Sequence, residues 1–265
     1  MNTIELAEKL DKYVRPNTFP LAVRMLAAGE SAPAKAKSPT RDLGVEVATC
    51  QSYAIARRYG WTLAVSRDDI NCPLTKIAYG FDAAPESYLS GELCEGMYNA
   101  SKEAGARTEA EVPKFPVGAY HTVLAGPLAR ADYEPQVVLV YGNSAQVMLL
   151  LAAALHRSGG YLTCRFSPRI DCAESVVRTM LTNEPQVILP CYGDRVVGQA
   201  QDHEMAFSFP WSRADEIGTG LEALYKGGVR YPIPSFLRFQ PEFPPKYRAL
   251  DEELRKGGGS PGADR

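Results

Sequence analysis

The segment 189–195, Leu-Pro-Cys-Tyr-Gly-Asp-Arg, combines several residue types that can do chemistry. The apolar run 186–189 before it predicts a short buried strand, which ends at a proline that cannot donate a ladder hydrogen bond. Cys191 would then stand at the carboxyl end of a strand, where α/β proteins collect their chemistry. Gly193 would permit close backbone approach, and Arg195 would place a permanent positive charge beside a thiolate or a bound anion.

Three further cysteines occupy similar settings, each beside a turn or a proline and close to a predicted helix. They are Cys50, Cys72 and Cys172. Each half of the chain carries one pair of cysteines in the same order of helix, strand, cysteine, helix, strand, cysteine. This repeated order predicts an internal duplication, in which a pseudo-two-fold axis would bring four thiols toward one seam.

Four thiolates from two pairs of loops are the ligand set of a 4Fe–4S cluster or of a structural zinc ion. The alternative is that these cysteines are core residues, since free cysteine is among the most buried residue types. The matched positions of Cys50, Cys72, Cys172 and Cys191 favour ligation. Cys94 lies in a helical pattern and Cys164 in a strand pattern, so both are predicted to be core.

The turn Gly142-Asn143-Ser144 joins an apolar strand, 136–141, to a predicted helix, 145–156. Such a turn could bind an anion at the helix N-terminus, and with Gly193 it supplies the candidate cofactor-binding residues. A capped structural turn is the alternative, because the full GxGxxG fingerprint is missing.

An acidic segment follows the cysteine-bearing one. His203 stands between Asp202 and Glu204, which could set its protonation or serve proton transfer. A solvated face is the simpler interpretation. The candidate catalytic residues are therefore Arg195, His203 and Glu204.

The composition excludes several classes of protein. With 265 residues, 45% hydrophobic and 23% charged, the chain is predicted to be globular, and its net charge of -2 with scattered basic residues argues against nucleic-acid binding. The N-terminus lacks the apolar region of a signal peptide, and no run approaches the roughly 18 apolar residues of a membrane span. We therefore expect a cytoplasmic protein with no membrane partner, in which six cysteines do not form a disulfide framework.

The alternation of apolar patterns predicts an α/β fold. Two similar α/β halves, about 1–130 and 131–235, are expected to pack into one unit over 1–250, followed by a disordered tail at 251–265. Helices are predicted at 4–13, 51–59, 86–104, 145–156, 173–181 and 214–225. Strands are predicted at 21–26, 61–65, 121–125, 136–141, 161–166 and 186–189.

Several segments resemble domain-of-unknown-function family 169, a group of uncharacterised archaeal and bacterial proteins of the ArCR type. The resemblance is carried by 18–26, 50–61, 72–73, 141–148, 191–195, 202–207, 230–234 and 243–247. It spans roughly residues 5 to 250. The resemblance implies no assigned activity, and it points to a group at home in anaerobic, metal-rich metabolism, which is compatible with an iron–sulfur cluster.

Two functions follow from these patterns. The first is an iron–sulfur protein, an electron carrier or an oxidoreductase that acts on a small molecule, with a small-molecule ligand or a redox protein as partner. The second is a non-enzymatic protein that binds a small ligand and holds a structural zinc or free thiols. The sequence leaves open the substrate, the metal, the number of ligating cysteines and whether the chain forms a homo-oligomer.

Overall fold

The computed structural model describes residues 1–167, 169–233 and 242–257. The chain forms two compact units, Met1–Tyr231 and Pro232–Arg265. The first unit is an α/β structure built on a six-stranded sheet, and both of the predicted halves contribute three strands to it.

Every neighbouring pair of strands in the sheet is antiparallel, and the strand order is β2-β3-β1-β4-β6-β5. The strands are β1 (Leu21–Leu26), β2 (Leu63–Ser66), β3 (Thr122–Pro127), β4 (Val137–Asn143), β5 (Gln186–Ile188) and β6 (Glu204–Pro210).

Helices cover both faces of the sheet. They are α1 (Thr3–Tyr13), α2 (Thr49–Tyr59), α3 (Pro73–Ala78), α4 (Glu86–Leu89), α5 (Lys102–Glu111), α6 (Ser144–Leu155), α7 (Thr179–Thr182), α8 (Tyr192–Val196) and α9 (Ala214–Lys226). Two π-helical stretches, Pro39–Leu43 and Ala173–Arg178, add to these, and the second continues directly into α7.

The two central strands are apolar on both faces because helices bury them from both sides. In β4, Val138 and Val140 pack with α1, α6 and α9, whereas Leu139 and Tyr141 face the opposite layer. That opposite layer contains α2, α3 and the π-helix Ala173–Arg178. The sheet therefore separates two hydrophobic cores, and the layer with α2 and α3 carries the cysteines of interest.

Local signals in the sequence set several element boundaries. Asn2 and Glu5 form a capping box at the start of α1, and Asn143 caps α6 with a second one. Gly60 ends α2 with φ of 73°, in the left-handed region that glycine enters without steric cost. The predicted helices at 4–13, 51–59 and 145–156 are confirmed within two residues.

Other predicted elements were wrong. The helix at 86–104 is broken after α4, since Gly91 and Gly96 adopt left-handed φ angles of 78° and 72°. Residues 161–166 form no strand, and the strand β6 was missed because charged residues open it.

The second unit contains the helix α10 (Pro245–Gly257), in which Asp251 and Arg255 form an ion pair one turn apart. The predicted disordered tail at 251–265 overlaps this helix as far as residue 257, and its remainder lies outside the described residues. None of the helices in the described ranges combines the length and the apolar character needed to cross a bilayer.

Candidate functional site

Each of the four cysteines singled out by the sequence lies at the beginning of a helix. Cys50 is in the first turn of α2, and Cys72 is the N-cap of α3. Cys172 immediately precedes the π-helix Ala173–Arg178, and Cys191 is the N-cap of α8. All four candidate ligands therefore lie at or beside the first turn of a helical segment.

Contacts connect the chain segments that carry the four thiols. The Cys50 thiol is only 4.0 Å from the carbonyl oxygen of Gly193, although the two residues are 143 positions apart. Burial raises the pKa of Cys50, and the neighbouring charges that raise it further come from Asp194, Asp171, Cys191 and Cys72. Cys172 is buried, and its pKa is raised by burial and then by Asp171, Cys50 and Cys72. One cluster therefore contains all four cysteines and two carboxyl groups.

Two buried aspartates form the polar centre of this cluster. Asp171 and Asp194 are 4% and 1% exposed, and their carboxyl groups share a hydrogen bond. Burial raises the pKa of Asp194 to about 9, and the charge of Asp171 contributes to the shift, because two adjacent buried carboxyls resist joint ionisation. Asp194 therefore keeps its proton at neutral pH.

The carboxyl pair connects directly to one thiol. Cys191 Sγ donates to Asp171 Oδ1 at 3.1 Å. Burial raises the pKa of this thiol to about 12, and the charge of Asp171 is the next cause. Cys191 is therefore a protonated thiol at neutral pH despite its place at a helix N-terminus.

A chain of buried polar groups runs from Asp194 through Tyr141 and Arg57 to Glu204. Tyr141 donates its hydroxyl to Asp194 Oδ2 at 3.0 Å, and the guanidinium of Arg57 lies 4.1 Å from the centre of the Tyr141 ring. Arg57 in turn forms a bidentate pair with Glu204, at 2.7 and 3.0 Å. Burial alone would raise the pKa of Glu204, but the hydrogen bonds from Arg57, the backbone N–H of Gln201 and the charges of Arg57 and Arg58 together lower it.

A second polar group lies against Cys172. The hydroxyls of Tyr53 and Tyr79 are 2.6 Å apart, and Tyr79 donates to the carbonyl oxygen of Cys172. The hydroxyl of Thr75 is 3.5 Å from the Cys172 thiol. These contacts hold Cys172 against α2, α3 and the residue that ends α3, which belong to the first half of the chain.

The backbone beside Asp171 is strained. Ile170 has φ of 53°, which is rare for a β-branched residue and costs on the order of 1–3 kcal/mol. Its side chain is buried in the core, which holds it in place. The π-helix that follows, Ala173–Arg178, is a second departure from regular geometry, and such stretches are frequent at functional sites.

The four thiols are soft donors of the kind that zinc and iron–sulfur clusters favour, but their side chains are not arranged as a metal site. Across the described ranges, no three His, Cys, Asp or Glu side chains are grouped so that they could hold a metal ion. The thiols of Cys191 and Cys50 instead donate to Asp171 and to the Gly193 carbonyl oxygen, and the Cys172 thiol contacts the Thr75 hydroxyl. Ligation would require the thiols to lose these protons and turn toward a common centre.

The three candidate catalytic residues lie in different surroundings. Arg195, in α8, donates to the carbonyl oxygen of Gln201 at 2.9 Å. His203 is exposed. Glu204 is buried in the pair with Arg57 and accepts the backbone N–H of Gln201.

The turn Gly142-Asn143-Ser144 follows the carboxyl end of β4, and Cys191 follows the carboxyl end of β5. Both lie at the same end of the strands, since β4 and β5 both run antiparallel to β6. Its polar groups are engaged in capping. Asn143 accepts from Gln146 N, and the amide nitrogen of Asn143 donates to the hydroxyl of Tyr231 at 3.1 Å. Gly142 packs on Gln146, where an added Cβ would be 2.9 Å from Gln146 Oε1.

The two remaining cysteines differ from the four. Cys94 is fully buried, as predicted, and donates to Glu109, which pairs with the buried Arg169. Cys164 was predicted to be core within a strand, but it is half-buried in an irregular segment, where its sulfur accepts the backbone N–H of Val187.

Sequence reasoning missed the carboxyl pair and the Arg57–Tyr141 stack. The available signal was the position of Asp171 beside Cys172 and of Asp194 three residues after Cys191. An acidic side chain between apolar residues and next to a candidate thiol ligand indicates a buried polar centre.

Comparisons with known proteins place the chain in a family. The chain is 26% identical over 221 residues to the uncharacterized protein MJ0308 of Methanocaldococcus jannaschii, covering 82% of this chain and 93% of that protein. No solved structure matches the fold significantly. The family model for DUF169, described as uncharacterised ArCR, matches residues 9–220, and the chain therefore belongs to the DUF169 family.

Proposed function

We propose that this protein is an iron–sulfur protein, in which Cys50, Cys72, Cys172 and Cys191 together ligate one 4Fe–4S cluster. The observation that carries the proposal is the set of contacts that connects the four cysteine segments: Cys50 with Gly193, Cys191 with Asp171 beside Cys172, and Cys172 with Thr75 of the helix that begins after Cys72. When bound, such a cluster would supply one-electron redox chemistry, to a redox partner protein or to a small molecule.

The electrostatics of the helix ends support ligation by thiolates. A cluster with four thiolates carries negative charge, and Cys50 lies in the first turn of α2, the end at which a helix dipole stabilises such charge. Asp194, held protonated, adds no negative charge at neutral pH. All six cysteines are free thiols, which suits the reducing cytoplasm in which we place the protein.

The protons on the thiols set a condition for ligation. Because burial and Asp171 raise the pKa of Cys191 to about 12, metal binding must displace its proton. The apparent affinity for metal is therefore expected to fall as the pH is lowered.

We also propose that the first unit is an internal duplication with a pseudo-two-fold axis between β1 and β4. The strand order supports it, because exchanging β1 with β4, β2 with β5 and β3 with β6 reproduces the same order read from the other end. The exchange also matches Cys50 with Cys172 and Cys72 with Cys191, each pair at a helix start before and after the equivalent strand.

The strand register supports the same operation. Leu21 of β1 pairs with Pro127 of β3, and Val137 of β4 pairs with Pro210 of β6. Each of these prolines ends its strand and is followed at once by a 3-10 helix.

The same two-fold axis is consistent with the pairing of the two central strands, β1 and β4. Ala22 pairs with Val138 across the middle of the sheet, and the exchange maps this pair onto itself. The ligand set would then contain two cysteines from each copy of an ancestral unit.

A structural zinc ion on the same thiols is the second candidate, since zinc favours the same soft donors. In that case the protein would be a non-enzymatic ligand-binding protein.

Metal and sulfide analysis of protein purified without oxygen tests the proposal. We expect iron and acid-labile sulfide in equal amounts, with a broad brown absorption that bleaches on dithionite. Colourless protein with stoichiometric zinc would select the second candidate, and protein free of both metals would refute ligation.

A further inference from the structure

A cleft in the described part of the first unit has no cysteine in its lining. Its volume is about 670 Å³, within the range of small-molecule sites. One wall is the face of α1 that carries Ile4, Ala7, Glu8 and Asp11. The other wall is formed by 16–20, the C-terminal end of α2 and Ala129.

The lining is apolar with a cationic end. The apolar residues are Ile4, Ala7, Pro16, Phe19, Pro20 and Ala129. The cations are Arg57 and Arg58, adjacent in sequence at the end of α2. Arg58 is one third exposed, and its only carboxylate neighbour among the described residues, Glu204, lies at 3.6 Å and is already paired with Arg57.

Arg57 is a buried cation at the cationic end of the cleft. This side chain is 1% exposed, and its Nε atom has no hydrogen-bond partner within the described ranges. Its two terminal nitrogens are engaged with Glu204, and one of them also contacts Thr18, a residue of the cleft wall. Arg57 is therefore held by its neighbours and closed to a ligand, whereas the side chain of Arg58 is one third exposed and can be reached from the cleft.

We propose that this cleft binds an amphipathic monocarboxylate, with its carboxylate at Arg58 and its hydrocarbon body on the apolar lining. The planar guanidinium of Arg58 matches a carboxylate better than a spherical cation would. Glu8 and Asp11 repel multiply charged anions, so a single negative charge fits the cleft better than a phosphate ester does. This site is independent of the thiol cluster and does not rest on metal binding.

Isothermal titration of the full chain with octanoate tests the proposal, with octanol as the uncharged probe of equal chain length. We expect saturable binding of octanoate that is at least about tenfold tighter than that of octanol, because only the carboxylate pairs with Arg58. Arg58→Ala should weaken octanoate binding about tenfold, whereas Arg107→Ala, an exposed arginine on α5, should leave it unchanged.

A second variant separates the cleft from general surface binding. Ala129→Trp places a bulky ring in the cleft at an exposed position, and it should abolish octanoate binding with the circular dichroism spectrum unchanged. Ala110→Trp, at an exposed position of α5, is the matched control and should bind normally. Absence of saturable octanoate binding, equal affinity for octanol, or normal binding by Ala129→Trp would each overturn the proposal.

Discussion

The thiol of Cys191 donates a hydrogen bond of 3.1 Å to Asp171 Oδ1, so that a candidate metal ligand is held in its protonated form by a buried carboxylate. Burial and then the charge of Asp171 raise the pKa of Cys191 to about 12. The Asp171 carboxylate also contacts the protonated carboxyl group of Asp194. Asp171 therefore lies between the Cys191 thiol and Asp194.

Removing the charge of Asp171 should therefore activate this thiol. In Asp171→Asn, the pKa of Cys191 is expected to fall, so its alkylation by iodoacetamide at mildly alkaline pH should accelerate several-fold. Peptide mapping by mass spectrometry measures the rate at this residue alone. Asp132→Asn, at an exposed position far from Cys191 in sequence, is the control, and equal rates in both variants would contradict the assigned contact.

The raised pKa of Asp194 has a consequence for stability. Because the folded pKa of about 9 exceeds the usual value near 4, the folded state binds this proton more tightly than the unfolded state does. The stabilisation is fully present below about pH 4 and is lost as the pH rises toward 9.

Asp194→Asn keeps a neutral side chain and removes this titration. Urea unfolding between about pH 5 and 9 should show a decline in the free energy of unfolding for the wild-type protein and a flatter profile for the variant. Asp202→Asn, at an exposed position, should follow the wild type. A variant that declines as steeply as the wild type would show that Asp194 is not the titrating group.

The Arg57–Glu204 pair should contribute far more to folding than a surface ion pair. Glu204→Gln leaves the Arg57 cation buried with a weakened partner and is expected to lower the free energy of unfolding by about 3–5 kcal/mol. Asp82→Asn breaks the exposed pair with Arg67 and should cost at most about 1 kcal/mol. Urea unfolding at neutral pH measures both, and similar losses would contradict the difference in burial.

Local structure was predictable where a few neighbouring residues determine it. The helix α2 and its end at Gly60 follow from apolar spacing and from the left-handed conformation that glycine adopts. The helix expected over 86–104 failed for a tertiary reason. A Cβ at Gly105 would lie 2.4 Å from the backbone oxygen of Gly91, so the chain turns at Gly91 to let the two segments meet closely.

The candidate site was predictable in its thiols but not in its acids. Cysteines beside turns give a pattern that can be recognised along the chain, whereas the contact of Asp171 with Asp194 exists only after two helices have packed. Glu204 was taken for part of a solvated face, because its partner Arg57 is 147 positions away. Contacts of such separation leave no periodic signal in a single sequence.

The most direct test of the account is the iron content of six single Cys→Ser variants, purified without oxygen. The account predicts about 4 iron atoms per wild-type chain and loss of most of the iron on substitution of Cys50, Cys72, Cys172 or Cys191. The variants at Cys94 and Cys164 should keep nearly all of it, since these thiols contact Glu109 and the backbone of Val187 instead. A wild-type protein without iron, or equal iron content in all six variants, would contradict the central claim.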